Sequence, residues 1–375
     1  MIDNFTTTPV AVLPPIGKTR KGRTPLTPEQ VAKALSVPAD YLAVVVGLID
    51  GDGSISVHKG VNNGLTIRLT IELEAADIPM LNDIKETLGI GSTFSRRNLG
   101  SLRFGMGELQ SVLFPLMAIH GLMFLTDQRR AQFDRAYFVM ANNITKYDKL
   151  PPIAPVVNEL PSDAIGYYEL PYFLDWFVGF TVAEGSFYTS TKPKLAQGFS
   201  INQRVETTHR TLFEAIKLAL WTDKPISVSS KGIVLLNMAS IADVQLVIDF
   251  FSGKNHHPLI GLKLEKYISW LNRIKLVPRY ASIDLPEEVG PRPEGVATLP
   301  KLVYIYDLDR STLLYVFDTI TEAIAALSRT SKSTAMYNSL RKGKKFKNVF
   351  PSNTPLANTT TKLLSLEELR NYTSS

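Results

Sequence analysis

One segment of this chain is written twice, and that repetition limits the possible folds more than any other feature. YLAVVVGLIDGDG (41–53) and WFVGFTVAEG (176–185) are both apolar, carry a glycine in mid-run and end in an acid followed by glycine. The two acids, Asp52 and Glu184, stand 184 − 52 = 132 residues apart. The stretches after the two segments also match. A strand-like run (SISVHKG; SFYTSTK) leads to a second run with alternating apolar positions (LTIRLTIELE from Leu65; GFSINQRVE from Gly198). Then come a helical pattern (IPMLNDIKETLGI; RTLFEAIKLAL), a hairpin-like segment and a closing amphipathic helix (DQRRAQFDRAYFVM; LKLEKYISWLNRI). The order αββαββα, read twice, predicts an α+β fold in which helices back antiparallel sheets.

Proline-rich seams set the domain limits. Residues 1–38 read as a flexible basic arm with one short helix from Thr27, and 39–150 as the first repeat. Residues 151–168 read as a linker, 169–284 as the second repeat and 285–300 as another linker. Residues 301–350 form a small C-terminal module, and 351–375 a tail. The chain has no cysteine, which excludes disulfides, thiolate zinc sites and thiol nucleophiles. Apolar runs are too short to span a bilayer, and the start lacks the pattern of a secretory signal, so a soluble protein without a membrane partner is expected. Lys and Arg number 41 against 35 Asp and Glu, a net +6 that suits a polyanionic partner without proving one. The His256–His257 pair lacks a nucleophile elbow or metal-type spacing and reads as a polar turn.

Gly53 and Gly185 read as left-handed caps, which puts both acids at helix C-termini. A carboxylate there meets the negative end of the helix dipole. Two such acids at matching places point to a divalent cation, which converts repulsive carboxylates into ligands. Gly47 and Gly179 would let the two helices approach closely across a pseudo-twofold axis, so that the acids converge.

VVGLIDGDG (45–53) resembles the LAGLIDADG motif, and FVGFTVAEG (177–185) resembles its more degenerate second copy. The similarity covers roughly residues 40–283 and is closest to monomeric endonucleases and maturases of fungal mitochondrial group I introns. The resemblance implies that the paired repeats form an antiparallel-sheet DNA-binding saddle with the motif helices at its centre. It implies a site-specific endonuclease that hydrolyses phosphodiesters across the minor groove, leaves 3′ overhangs and promotes intron mobility. Asp52 and Glu184 match the metal-binding acids, with Gly51 and Ala183 beside them in the metal set. Two or three Mg²⁺ ions are implied, with Mn²⁺ able to substitute. The family's helix lysine falls on Lys263 in the second repeat and on Gln128 in the first, next to Arg129 and Arg130. Its water-ordering strand residue falls on Gln203, with Leu73 as the counterpart, so unequal cutting of the two strands is expected.

Alternate strand side chains would read base edges and basic rims would hold phosphates. The candidates are Arg68, Thr70, Glu72, Arg96, Arg97 and Arg103 in the first repeat, and Tyr188, Lys192, Asn202, Arg204 and Ser229 in the second. The module at 301–350 resembles the nuclease-associated modular domain, a helix-turn-helix-like DNA binder in which Thr319 or Thr321 would cap the first helix. Arg341, Lys342, Lys344, Lys345 and Lys347 would anchor phosphates there. The partners implied are double-stranded DNA and, for a maturase, host group I intron RNA, met by a monomer in the mitochondrion. An RNA maturase without cutting activity and a transcription regulator on a decayed scaffold are the rival readings. Retention of both acids favours the nuclease.

Overall fold

In the computed structural model, residues 27–374 are described except 157–158, 191–195, 205–208, 288–302, 318–319, 328–333, 342 and 354–355. They divide into two compact units between Glu294 and Gly295. The basic cluster of the N-terminal arm and Lys192 lie outside the described residues. No helix among those described is long and apolar enough to cross a membrane.

The first unit opens with α1 (Pro28–Leu35), which is not a free arm. Its Ala34, and Val37 just beyond it, are buried in the core. The first repeat follows as α2 (Ala39–Asp52), β1 (Gly53–Lys59), β2 (Leu65–Glu74), α3 (Ile78–Leu88), β3 (Ser92–Arg96) and β4 (Leu99–Gly105). Next, α4 (Met106–Glu108) runs through a π-helical turn (Leu109–Leu113) into α5 (Phe114–Ile119), and α6 (Asp127–Ala141) closes the repeat. Where a linker is expected at 151–168, α7 (Ala164–Glu169) is held by fully buried Tyr167 and packs on the second repeat. That repeat is α8 (Phe173–Glu184), β5 (Gly185–Thr189), β6 (Gln197–Arg204), α9 (His209–Ala219), β7 (Ser227–Val228), β8 (Ile233–Met238), α10 (Ile241–Phe251) and α11 (Gly261–Leu276).

The two sheets have the same antiparallel order, β1-β2-β4-β3 and β5-β6-β8-β7, as the repeat requires. Each repeat has one more helical segment than expected, α4–α5 in the first and α10 in the second. These apolar stretches cover the inner face of a sheet that would otherwise meet water: Leu113, Phe114, Val247 and Phe251 are all buried. The alternation of β2 is clean, with Leu65, Ile67, Leu69, Ile71 and Leu73 inward and Thr66, Arg68, Thr70, Glu72 and Glu74 outward.

Both motif helices are apolar on all sides because each packs on its own sheet and on the other helix. A Cβ on Gly47 would stand 2.8 Å from Phe180 N and closer still to the Trp176 carbonyl. One on Gly179 would stand 2.9 Å from Leu48 N and closer still to the Val44 carbonyl. Gly47, Val44 and Leu48 are each 132 residues from Gly179, Trp176 and Phe180, so the contact is reciprocal and defines a pseudo-twofold axis.

The second unit is built on a sheet of order β11-β9-β10-β12. Its elements are β9 (Val303–Tyr306), β10 (Thr312–Phe317), α12 (Ile320–Leu327), α13 (Thr334–Arg341), β11 (Phe350–Ser352), β12 (Thr360–Thr361) and α14 (Leu366–Ser374). The two strands and two helices expected at 301–350 are present, but 351–375 is no tail. Its strands complete the sheet, and fully buried Leu369 anchors α14. The caps proposed at Thr319 and Thr321 fall on a residue and a side chain outside those described, as do Lys342 and the Arg341 side chain.

Candidate active site

The last turn of each motif helix delivers an acid directly into a strand. Gly53 (φ −86°, ψ 169°) and Gly185 (φ −79°, ψ 152°) are extended, not the left-handed caps expected from sequence. Glycine is needed for clearance instead. A Cβ on Gly53 would stand 2.5 Å from Ile49 O, and one on Gly185 2.8 Å from Thr181 O. The helix therefore turns into the sheet without a loop, which leaves Asp52 and Glu184 at the seam.

There the two acids meet across the axis. Glu184 Cγ lies 3.2 Å from where a Gly51 Cβ would stand, and Ala183 packs on the same glycine. Burial pushes the Glu184 carboxyl up to about 7, the Asp52 charge adds to the rise, and Gln203, Lys263 and Arg129 oppose it. Burial likewise raises Asp52, with Lys263 and then Arg129 opposing. Lys263 is lowered by burial and by Lys266, against the pull of Asp52, Asp77 and Glu184. Both acids thus sit in a poorly solvated pocket where the protein's own cations only partly balance them.

Gln203 Nε2 donates to Glu184 Oε1 at 2.8 Å, while its Oε1 accepts from Arg204 N at 2.9 Å, which fixes the amide. Leu73, the matching residue, is buried and offers no polar atom. Lys263 donates to Gly185 O at 2.5 Å, at the end of α8. On the other side, Gln128 is exposed and the arm that reaches the site is Arg129. Its Nε donates to Ile49 O at 2.9 Å, Nη1 to Gln132 Oε1 at 2.7 Å, and Nη2 to Asp50 O and Gly51 O at 3.4 Å each. Counting from the acid missed this, but counting from the helix start would not have. Arg129 is the third residue of α6 after its Thr126 cap, and Lys263 is the third residue of α11 after Ile260. A second acid, Asp50, was also missed. It is fully enclosed, and burial pushes its carboxyl up to about 6 against several donors.

The pair fits a hard divalent cation. It supplies two oxygen-donating side chains short of countercharge, and no cluster of three or more His, Cys, Asp or Glu ligands occurs among the described residues. Such an ion would complete its shell with backbone oxygen, water or a bound phosphate. Gly51 O faces Arg129 at 3.4 Å, which makes its expected place in the metal set one shared with that cation.

The strand candidates gather on two outer faces. Register places Thr70 between Ser54 and Arg103, Arg68 beside Ser56, and Glu72 beside Ser101, whose other neighbour is Phe94. Arg103 lies over the Phe94 ring, 4.7 Å from its centroid. Arg96 is exposed at the end of β3, and Arg97 is in the following turn with φ 52°. In the second sheet Asn202 and Arg204 are exposed, Tyr188 closes over Gly198 and donates to Asn237 Oδ1 at 2.7 Å, and Ser229 sits in the β7–β8 turn. In the second unit Lys344 and Lys345 are exposed, whereas Lys347 turns its ammonium to Leu327 O at the end of α12. His256 is no polar turn. It is 1% exposed, with its ring nitrogens 2.8 Å from Phe250 O and 2.9 Å from His257 O.

The raised Glu184 carboxyl has a consequence for stability. From its ordinary 4.5 up to about 7, the folded metal-free protein keeps a proton that the unfolded chain has lost. Stability therefore falls as pH rises through that window. Glu184→Gln should flatten this slope in melting curves recorded in chelator, leaving the parts due to Asp52 and Asp50. A slope identical to that of the wild type would contradict the assigned environment.

The LAGLIDADG endonuclease family matches residues 45–113, and the NUMOD1 domain matches residues 301–332. Probable intron-encoded endonuclease 3 of Neurospora crassa is 25% identical over 258 residues, covering 60% of this chain and 48% of the relative. Probable intron-encoded endonuclease Cox1-I1b of Schizosaccharomyces pombe is 28% identical, covering 43% and 45%. Probable intron-encoded endonuclease aI3 of Dictyostelium citrinum is 24% identical, covering 60% and 92%. The chain thus spans about half the length of the first two relatives. A solved mutant of I-SmaMI superposes with a TM-score of 0.51 at 19% identity, over 64% of this chain and 91% of that one, and shows the same α+β fold. The matched segment, the duplicated sheets and the shared fold thus make the first unit similar to LAGLIDADG endonucleases, and residues 301–332 of the second similar to the NUMOD1 domain.

Proposed function

We propose that this protein is a metal-dependent, site-specific DNA endonuclease that makes a staggered double-strand cut and so promotes the mobility of its intron. One observation carries the reading. Two desolvated carboxylates from separate repeats meet at the ends of glycine-packed helices, where each helix enters a sheet whose outer face bears Arg, Thr, Ser and Asn side chains. Such faces suit the major groove, with side chains meeting base edges and phosphates. The acids then lie where the backbones of both strands would pass.

Asp52 and Glu184 would hold divalent cations, Mg²⁺ by the family resemblance, which activate water and stabilise the departing 3′ oxygen. The chain's own residues do the rest. Gln203 holds the Glu184 carboxylate in one orientation. Lys263 at the end of α8 and Arg129 at the end of α2 set positive charge beside the position of a scissile phosphate. The exposed lysines of the second unit, Lys344 and Lys345, would add phosphate contacts. A role confined to intron RNA would need neither acid, so the cost of desolvating both favours cutting. The mitochondrion is the compartment that the resemblance implies.

A randomised duplex library tests this. With Mg²⁺ or Mn²⁺ the protein should recover and cut one sequence class, leaving 3′ overhangs, and EDTA should abolish cutting. No cleavage with either metal, or cleavage that persists in EDTA, overturns the proposal.

A further inference from the structure

The proposed chemistry leaves one acid of the first motif unused. Asp50 is 1% exposed, yet its carboxylate is surrounded by donors from two other segments. Oδ2 accepts from Leu125 N and Trp176 Nε1, each at 2.7 Å, and Oδ1 from Thr126 Oγ1 at 2.7 Å and Thr126 N at 3.2 Å. Trp176 belongs to the motif helix of the other repeat, and Thr126 caps α6 by accepting from Arg129 N at 3.4 Å. The Arg129 side chain then runs back to the carbonyls of Ile49, Asp50 and Gly51, the turn that ends in Asp52. The hydrogen bonds close a circuit from α2 to α6 and back, and the circuit is tied to the second repeat through one indole.

Among the described residues, the matching positions of the second repeat form no such circuit. The residue 132 positions after Asp50 is Val182, and Ile260 at the start of α11 makes no side-chain cap bond. We propose that Asp50, with Thr126 and Trp176, is a positioning residue that sets Arg129 beside Asp52, and that it serves one half-site only. Cutting of one strand then depends on the second repeat's helix, while Glu184 is held by Gln203 and Lys263 by the Gly185 carbonyl, neither of which belongs to the circuit. This rests on the endonuclease reading for its rate consequences, but not for the placement of Arg129.

The test uses the full chain and a duplex recovered by the wild type from a randomised library, each strand carrying its own dye. Thr126→Val keeps the side chain's shape and removes the hydroxyl that joins Asp50 to the cap, and Thr126→Ser restores that hydroxyl. In Thr126→Val one strand should be cut about tenfold or more slowly, so that nicked duplex accumulates, with DNA affinity little changed. Thr126→Ser should cut both strands like the wild type, and Trp176→Phe should show the same bias as the valine variant. In metal-free protein without DNA, the Arg129 Nε–H proton should exchange slowly in the wild type and in Thr126→Ser, and faster in Thr126→Val. Equal slowing of both strands, no slowing, or unchanged Arg129 exchange overturns the proposal. Should the wild type cut nothing, the proposed function fails, and the exchange measurement alone still decides where Asp50 holds Arg129.

Discussion

Gly179→Ala and Gly47→Ala should each destabilise the first unit by about 3 kcal/mol or more, near the upper end of what overpacking a core produces. The new methyl meets backbone on the facing helix, Val44 and Leu48 for Gly179 and Trp176 and Phe180 for Gly47. No side chain can rotate away, so the helices must separate. Alanine's better helix propensity works in the opposite direction by only about 1 kcal/mol. Separation also breaks the contact of Gly51 with Ala183, so any folded remainder should cut poorly because its acids no longer converge. Denaturant unfolding of the two variants checks this. A Gly179→Ala protein as stable as the wild type would mean that the helices do not pack through these glycines.

Much of this was legible because duplication and periodicity are written along the chain. The alternation in LTIRLTIELE places Arg68, Thr70 and Glu72 on one face, and the strand register adds Arg103 beside Thr70. Glycine in mid-helix and an acid 132 residues from its twin give the interface and its end. The less legible features depend on contacts between segments. Nothing local says that Gly53 is extended, because its clearance from Ile49 exists only once the helix runs straight into β1. Asp50 reads as a motif residue until Trp176 and Thr126 are seen to reach it.

Two features had signals that went unused. The cap at Thr126 fixes the register of α6 and selects Arg129 over Gln128, because position within the first turn decides which way a side chain points. Ser365 and Glu368 exchange capping hydrogen bonds of 2.8 and 3.3 Å at the start of α14, and the Ser-x-x-Glu pattern announces that helix within the supposed tail. Tyr167 inside the supposed linker is different. Its burial depends on the distant α9, and the proline-rich surroundings gave no hint of it.

The second large effect concerns the acids. Asp52→Asn and Glu184→Gln keep size and hydrogen-bonding capacity but remove the charge that a divalent cation needs. Each variant should lose roughly a thousandfold or more in cutting rate, since the ion's contribution to the transition state is several kcal/mol. DNA binding should survive, or strengthen slightly, because a negative charge near the phosphates is gone. Neither variant should be less stable in chelator, since both remove a carboxylate whose burial is unfavourable. The decisive measurement is single-turnover cleavage of the library-recovered duplex in Mg²⁺ by wild type, Asp52→Asn and Glu184→Gln, with binding followed in parallel. The account predicts cutting by the wild type alone and binding by all three. Cutting at the wild-type rate by both variants would contradict it.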